Sequence, residues 1–275
     1  MHVVRHRPGP PLSAWVDCFW YRAGAPSDAA IRRRSALPTG GMDVVFNLHD
    51  DRMQVLIPPD RVAISTDGGI VHGAQSGYFI IDARPAHCSA GIHFRPGGGA
   101  VLLGAPASEL SELHVSLSDL WGAAARQLRA RLLECPDPGQ IFCLLEQALL
   151  GRLPAAQVPL VNPAISFALR RFSAGAAVDR VAPIRQATGY SARHFNTLFE
   201  RAVGLSPKRF CRIQRLRAVV EQVAHGTRVE WAQVAADNGY FDQSHLNRDF
   251  RLFSGVTPGQ YHPVARDSAL HMELS

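Results

Sequence analysis

Lysine is almost missing from this chain: Lys208 is the only one in 275 residues. Its basicity is therefore nearly all guanidinium, a planar fork suited to bidentate contacts with phosphate and with guanine. Cysteine is sparse as well. Cys18, Cys88, Cys135, Cys143 and Cys211 are scattered, odd in number and without a Cys-x-x-Cys pair. That usage speaks against a disulfide scaffold or a zinc site and for reduced thiols in a cytoplasmic protein, with Cys135 and Cys143 as one candidate redox pair. There is no run of about 18 apolar residues, so no membrane-spanning helix is predicted. The first residues (His2, Arg5, His6, Arg7, Pro8) lack an apolar secretion segment. Gly97-Gly98-Gly99 is not followed by Lys-Ser/Thr, which excludes a phosphate loop. No nucleophile elbow, clustered metal-ligand set or usefully spaced carboxylate pair occurs. His72, His87 and His93 lie on separate predicted strands, but single histidines are more often structural than ligating, so neither a metal nor a cofactor is expected.

What is present is unevenly spread. Residues 1–159 hold 14 arginines and 14 acidic residues, whereas residues 160–275 hold 15 basic against 9 acidic, so the net +6 sits on the second part. Such asymmetry points to a polyanion partner for one half. The length suffices for two domains, each with its own core.

Residues 189–261 repeat themselves. Gly189-Tyr190-Ser191, Phe195, Phe199, Gly204-Leu205-Ser206-Pro207 and Phe210 return as Gly239-Tyr240, Leu246, Phe250, Gly255-Val256-Thr257-Pro258 and Tyr261. The offset is 50 at the first glycine and 51 from Phe195/Leu246 onward, so one residue has been inserted in between. A repeat of this length means one supersecondary unit built twice. Each copy reads as a helix, a tight Gly turn, a second helix capped by Ser191 or Asp242, and a Gly-x-Ser/Thr-Pro stop. That is a tandem helix-turn-helix, predicted over about 179–203 and about 229–253. A helix opening on Asn162-Pro163 precedes it. A long amphipathic helix from Pro207 to about Ala224 joins the two units, with Phe210, Ile213, Leu216, Val219, Val220 and Val223 inward. Its other face carries Lys208, Arg209, Arg212, Arg215 and Arg217. With Arg251, three of these (Lys208, Arg209 and Arg212) are the phosphate-contact candidates.

The stretch Val234-Ala235-Ala236-Asp237-Asn238-Gly239-Tyr240-Phe241-Asp242-Gln243-Ser244-His245-Leu246-Asn247-Arg248-Asp249-Phe250-Arg251, followed by Gly255-Val256-Thr257-Pro258-Gly259-Gln260-Tyr261, resembles the hallmark of the AraC family of bacterial transcription regulators. The resemblance covers about residues 165–263. It implies two helix-turn-helix units set into successive major grooves. By position, base-edge contacts would fall to Arg193, Asn196 and Thr197, beside Ala192, in the first unit and to Gln243, Ser244, His245 and Arg248 in the second. Two departures touch the first unit: Arg185 stands where the family has a small Ala, and Pro183 lies within the first helix, where proline can bend it. Thr197 also replaces an Arg that is kept as Arg248 in the second unit.

The neutral half alternates short apolar runs with turn signals. Val44–Leu48, Met53–Ile57, Arg61–Ser65, Ile70–His72, Tyr78–Ile81 and His87–Phe94 are predicted strands of a small β-barrel or jelly roll over about 1–105. Two helices follow within about 106–153, one capped by Ser118 and one opened by Asp137-Pro138. Leu37-Pro38-Thr39-Gly40-Gly41-Met42-Asp43 and Gly91-Ile92-His93-Phe94-Arg95-Pro96-Gly97-Gly98, with Pro106-Ala107-Ser108-Glu109-Leu110, look like the cupin-like N-terminal domain of an AraC-type subgroup. The resemblance implies a two-domain α+β chain: a sensor and dimerisation domain over 1–159 and a DNA-binding domain over 160–275. Trp15, Phe19, Trp20 and Tyr78 are the candidates for a ligand pocket.

The expected partners are double-stranded DNA, a small-molecule effector, RNA polymerase and a second copy of the chain, with no membrane. Two other classes stay open from the sequence: an architectural DNA binder without an effector, and an enzyme carrying a DNA-binding domain. For the regulator, affinity of the intact chain for a selected duplex should fall steeply with salt, because each phosphate contact releases counterions. A flat salt titration would speak against a phosphate-tracking surface.

Overall fold

The computed structural model describes residues 2–24, 33–59, 62–82, 88–153, 162–173, 181–224, 229–264 and 269–273. His87 and residues 154–161, where the sequence divides the domains, lie outside them. Nine strands come first: β1 (His2–His6), β2 (Val16–Ala23), β3 (Arg33–Ala36), β4 (Asp43–Asn47), β5 (Met53–Ile57), β6 (Val62–Thr66), β7 (Gly69–His72), β8 (Phe79–Asp82) and β9 (Ser89–Phe94). Then come α1 (Gly99–Leu103), α2 (Ala107–Leu110), β10 (His114–Ser116), α3 (Leu117–Trp121), α4 (Ala123–Leu133) and α5 (Pro138–Leu150). The second half is α6 (Pro163–Phe172), α7 (Val181–Ala187), α8 (Ala192–Val203), α9 (Pro207–Val223), α10 (Trp231–Asp237) and α11 (Gln243–Ser254), closed by β11 (His271–Glu273).

The strands form two antiparallel sheets, ordered β1-β2-β9-β4-β7-β10 and β11-β3-β8-β5-β6. The expected barrel is thus an open pair: among the described residues no ladder joins the two sheets. Side-chain alternation sets what lies between them. On β2, Cys18, Trp20 and Arg22 point to the space between the sheets while Phe19, wholly buried, faces the helices. On β4, Asp43 and Val45 point to that space and Val44 and Phe46 into the core. Helices α3–α5 cover the outer face of the larger sheet, with Trp121, Leu128, Leu132, Ile141, Phe142 and Leu145 buried.

Most predicted strands appear within a residue or two of their expected bounds. β1, β2, β3, β10 and β11 are not among the predicted strands; β2 carries four half-buried residues in a row and β1 is rich in Arg and His, which blurs the alternation in both. Ser116, not Ser118, caps the helix after β10, accepting a bond from Ser118 N, and the helix breaks at Gly122, whose φ of +60° only glycine adopts readily. Asp137 caps α5 as expected.

The helical half obeys its local signals closely. Asn162, Ser191, Ser206 and Asp242 each accept a backbone N–H at the start of α6, α8, α9 and α11. Phe172, Phe199 and Phe210 meet with ring centroids 5.7–6.4 Å apart, joining α6, α8 and α9. Pro183 is the third residue of α7, where a backbone N–H has no intrahelical acceptor, so the expected bend is not imposed there. The end of the chain then leaves the helical half. β11 pairs with β3, and Leu37 N donates to Leu270 O at 2.8 Å, so the tail completes the sheet of the first domain.

Two histidines, His72 and His114, are buried in the sheets, and His271 on β11 is half-buried. His72 and His114 share one hydrogen bond, Nδ1 to Nδ1 at 2.7 Å, which requires one ring to donate and the other to accept. Burial pushes the pKa of His72 to about 4, of His114 to about 3 and of His271 to about 4. A base depressed by folding stays neutral in the native state while the unfolded chain takes up a proton below its ordinary value near 6.5. Stability is therefore full above pH 6.5 and is lost as pH falls toward 4, by up to about 1.4 kcal/mol per pH unit for each histidine. Thermal unfolding midpoints should drop across this window, and the paired change His72→Gln with His114→Gln should flatten the slope. An unchanged slope in that variant would mean these rings do not carry the pH dependence.

Candidate nucleic-acid interface and interdomain cavity

The second reading helix, α11, begins with Asp242 accepting from His245 N at 2.6 Å and ends at Gly255, φ +76°. Leu246, Phe250 and Phe253 are fully buried, while Gln243, Ser244 and Arg248 are exposed. His245 is half-buried, its ring 5.2 Å from that of Tyr240 and edge-on to it. In the first unit Arg193, Asn196 and Thr197 are exposed on α8, with the Thr197 hydroxyl donating to Arg193 O at 3.0 Å. His245 apart, the base-edge candidates thus form one solvent-facing strip on each helix. The units differ beneath that strip. Val234 and Ala235 of α10 are buried, whereas no residue of α7 is, and Arg185 there reaches the Tyr190 carbonyl at 3.4 Å.

The basic face of α9 is largely spent inside the protein. Arg212 grips the buried carboxylate of Asp249 on α11 through two bonds, 2.6 and 3.3 Å, and that carboxylate holds the guanidinium still more firmly protonated. Arg215 lies 5.0 Å from the Tyr240 ring centre and donates to Gly239 O at 3.4 Å. Gln222 accepts from the buried Asn238 at 2.6 Å. Arg209 reaches Ser76 at 2.5 Å and Glu112 at 3.9 Å, both in the first domain. Of the four phosphate candidates, Lys208 and Arg251 are the exposed ones given no such internal role. Sequence reasoning could count these arginines but not see their partners, which come from segments up to 133 residues away.

Both reading helices dock their C-terminal ends on the first domain. Gly204, φ +85°, closes α8 against Ala107 and Ala74, and Ser111 Oγ donates to its carbonyl. Gly255 closes α11 against the Tyr78 ring. At each point a Cβ would collide and the backbone would be strained. Gln214 and Arg217 of α9 donate to Thr39 O at 3.1 and 3.2 Å. Between the sheets, α6, α9 and the returning tail lies a cavity of about 1000 Å³. Trp20 lines it; the other three pocket candidates do not. Phe19 faces the opposite side of β2, Trp15 packs on the core beside Gly98, and Tyr78 sits under Gly255. His93 bonds Asp43 in the cavity; burial alone would raise the Asp43 pKa, but the charge and hydrogen bond of His93 outweigh it and lower it. His72 is committed to His114. Among the described residues no group of three His, Cys, Asp or Glu could hold a metal ion, and no helix is long and apolar enough to cross a membrane.

Two capped helix-turn-helix units bolted to one spacer helix define a DNA-binding protein. Residues 184–263 match the family described as a helix-turn-helix domain, and residues 4–116 match a domain of unknown function, DUF6597. No curated protein matches the chain. Similar solved structures include ToxT from Vibrio cholerae at 11% identity, TM-score 0.44, covering 88% of this chain and 97% of that one. Another is ToxT from Vibrio cholerae bound to an unsaturated fatty acid, at 10% identity, TM-score 0.44, covering 87% and 93%. The helical half is thus a helix-turn-helix domain by family match, built as two units of a kind that docks on DNA.

The geometry separates two arginines. Arg248→Ala should cost about 1–3 kcal/mol of operator binding and relax preference at one or two base pairs without altering thermal stability. Arg212→Ala strands the Asp249 carboxylate and should destabilise the fold by on the order of 3 kcal/mol. Thermal unfolding with a binding-site selection on each variant distinguishes them; equal melting points for the two would remove the buttress role of Arg212.

Proposed function

We propose that the protein is a sequence-specific DNA-binding transcription regulator of the AraC type, that it is effector-responsive, and that its effector is a small organic acid held in the interdomain cavity. The observation that carries this reading is the composition of the wall. Seven arginines line it against four carboxylates, beside an apolar patch that includes Trp20, Val45, Val55, Phe79 and Ile81. An excess of fixed positive charge raises the local concentration of anions, and the volume is that of a site for a small molecule. Three of its titratable groups are already engaged, Asp43 with His93 and His72 with His114 behind the wall, which favours a binding role over catalysis.

The wall also explains how occupancy would reach DNA. β2, β4 and β5 supply one part, Gln214, Arg217 and Glu221 of α9 another, and Leu270 and His271 of the tail a third. A ligand shifts an equilibrium only by binding its states unequally. One that touches both domains does so whenever they part or turn. The remaining partners of this reading are duplex DNA, RNA polymerase and a second copy of the chain. The last would meet the α4–α5 pair, whose ends expose Leu133 and Leu150.

A thermal-shift panel of aliphatic and aromatic monocarboxylic acids on the intact chain, followed by operator titration with each hit, tests this. The expected result is a raised melting point and an operator affinity changed by about 5–150-fold. Arg34→Gln should weaken the response, and truncation after residue 268 should abolish it while duplex binding persists. No shift and no change in operator affinity across the panel would exclude the acid-sensing cavity.

A further inference from the structure

The inserted residue of the repeat is Phe241. Tyr190 is followed directly by the helix cap Ser191, whereas Tyr240 is followed by Phe241 and only then by the cap Asp242. The second reading head therefore carries one side chain that the first lacks. Phe241 is 93% exposed, well beyond the other large apolar side chains exposed among the described residues. A hydrophobic residue just before a cap ordinarily packs on the fourth residue of the helix, fixing the entry of the chain. That partner here is Leu246, which is fully buried without it. Phe241 thus has no part in folding the head. It stands at the mouth of α11, next to the exposed Gln243 and Ser244, where this motif meets base edges.

We propose that Phe241 is a specificity-determining residue that reads the C5-methyl group of a thymine at the edge of the second half-site. The thymine methyl is the apolar mark in the major groove, and a phenyl ring answers it by contact rather than by hydrogen bonding. A lone exposed aromatic beside two polar readers fits a strip that alternates polar and apolar recognition. Since the insertion is confined to one copy, only the second half-site gains this preference. The proposal rests on DNA reading by the second unit.

The test uses the intact chain and a duplex obtained by selection. Each thymine of the second half-site is replaced singly by deoxyuridine, which deletes the methyl and keeps the pairing. The wild type should lose about fivefold at one position, a value set by the small apolar area of a methyl contact. Phe241→Ala should show the same loss on the thymine duplex, no further loss on the deoxyuridine duplex, and an unchanged melting point. Indifference of the wild type to every replacement, or additive losses in the variant, would overturn the proposal. So would a variant that binds normally yet fails to activate transcription, because Phe241 would then face a protein. Arg248→Ala keeps the two readings apart: if it relaxes specificity while deoxyuridine has no effect, only the role of Phe241 falls. If the wild type selects no sequence, DNA reading by the unit falls with it.

Discussion

Asp249 lies on the inward side of α11, 2% exposed, where a carboxylate is tolerated only with a cation beside it. Arg212, 37 residues away in sequence but adjacent in space, supplies that cation from the spacer helix through two hydrogen bonds. The pair fixes α11 against α9 in both position and rotation, because a guanidinium fork accepts a carboxylate in one plane. Arg215 on Tyr240 and Gln222 on Asn238 extend the same seam along α9. The first head is held to α9 differently, by the Phe172–Phe199–Phe210 cluster. One helix therefore carries both heads, one on a polar seam and one on an aromatic core, and their spacing follows from its length.

The orientation of the heads follows from their ends. Gly204 and Gly255 terminate the reading helices at the first domain, so the opposite ends, with Arg193 and Gln243, face solvent. Anything that shifts Ala107, Tyr78 or Thr39 shifts a reading helix or the spacer with it. The cavity touches Thr39 directly, and the returning strand β11 ties the last residues of the chain to the same sheet. The first domain and the helical half meet at the two glycines, at the Thr39 carbonyl, at Ser76 and Glu112 through Arg209, and at β11.

Much of this was legible beforehand, and the parts that were share a cause. Caps, Gly turns and the inward faces of α8, α9 and α11 depend on residues within four positions of each other, so local chemistry decides them. Strand β5 was placed to the residue for the same reason. β2 was missed because its faces meet two different surroundings, a core and a cavity, which blurs the alternation. The pocket candidates were chosen for being aromatic, and of the four only Trp20 lines the cavity.

By itself the sequence determined the tandem reading units, their caps, the spacer helix and the basic second half, since helix and turn preferences act over a few residues. Only the tertiary structure decided which arginines are left for DNA, which side chains wall the cavity, and that the tail returns to the first sheet. Those outcomes depend on partners tens to more than a hundred residues distant, and a guanidinium in a sequence is the same whether it will meet a phosphate, a buried carboxylate or a carbonyl of the neighbouring domain.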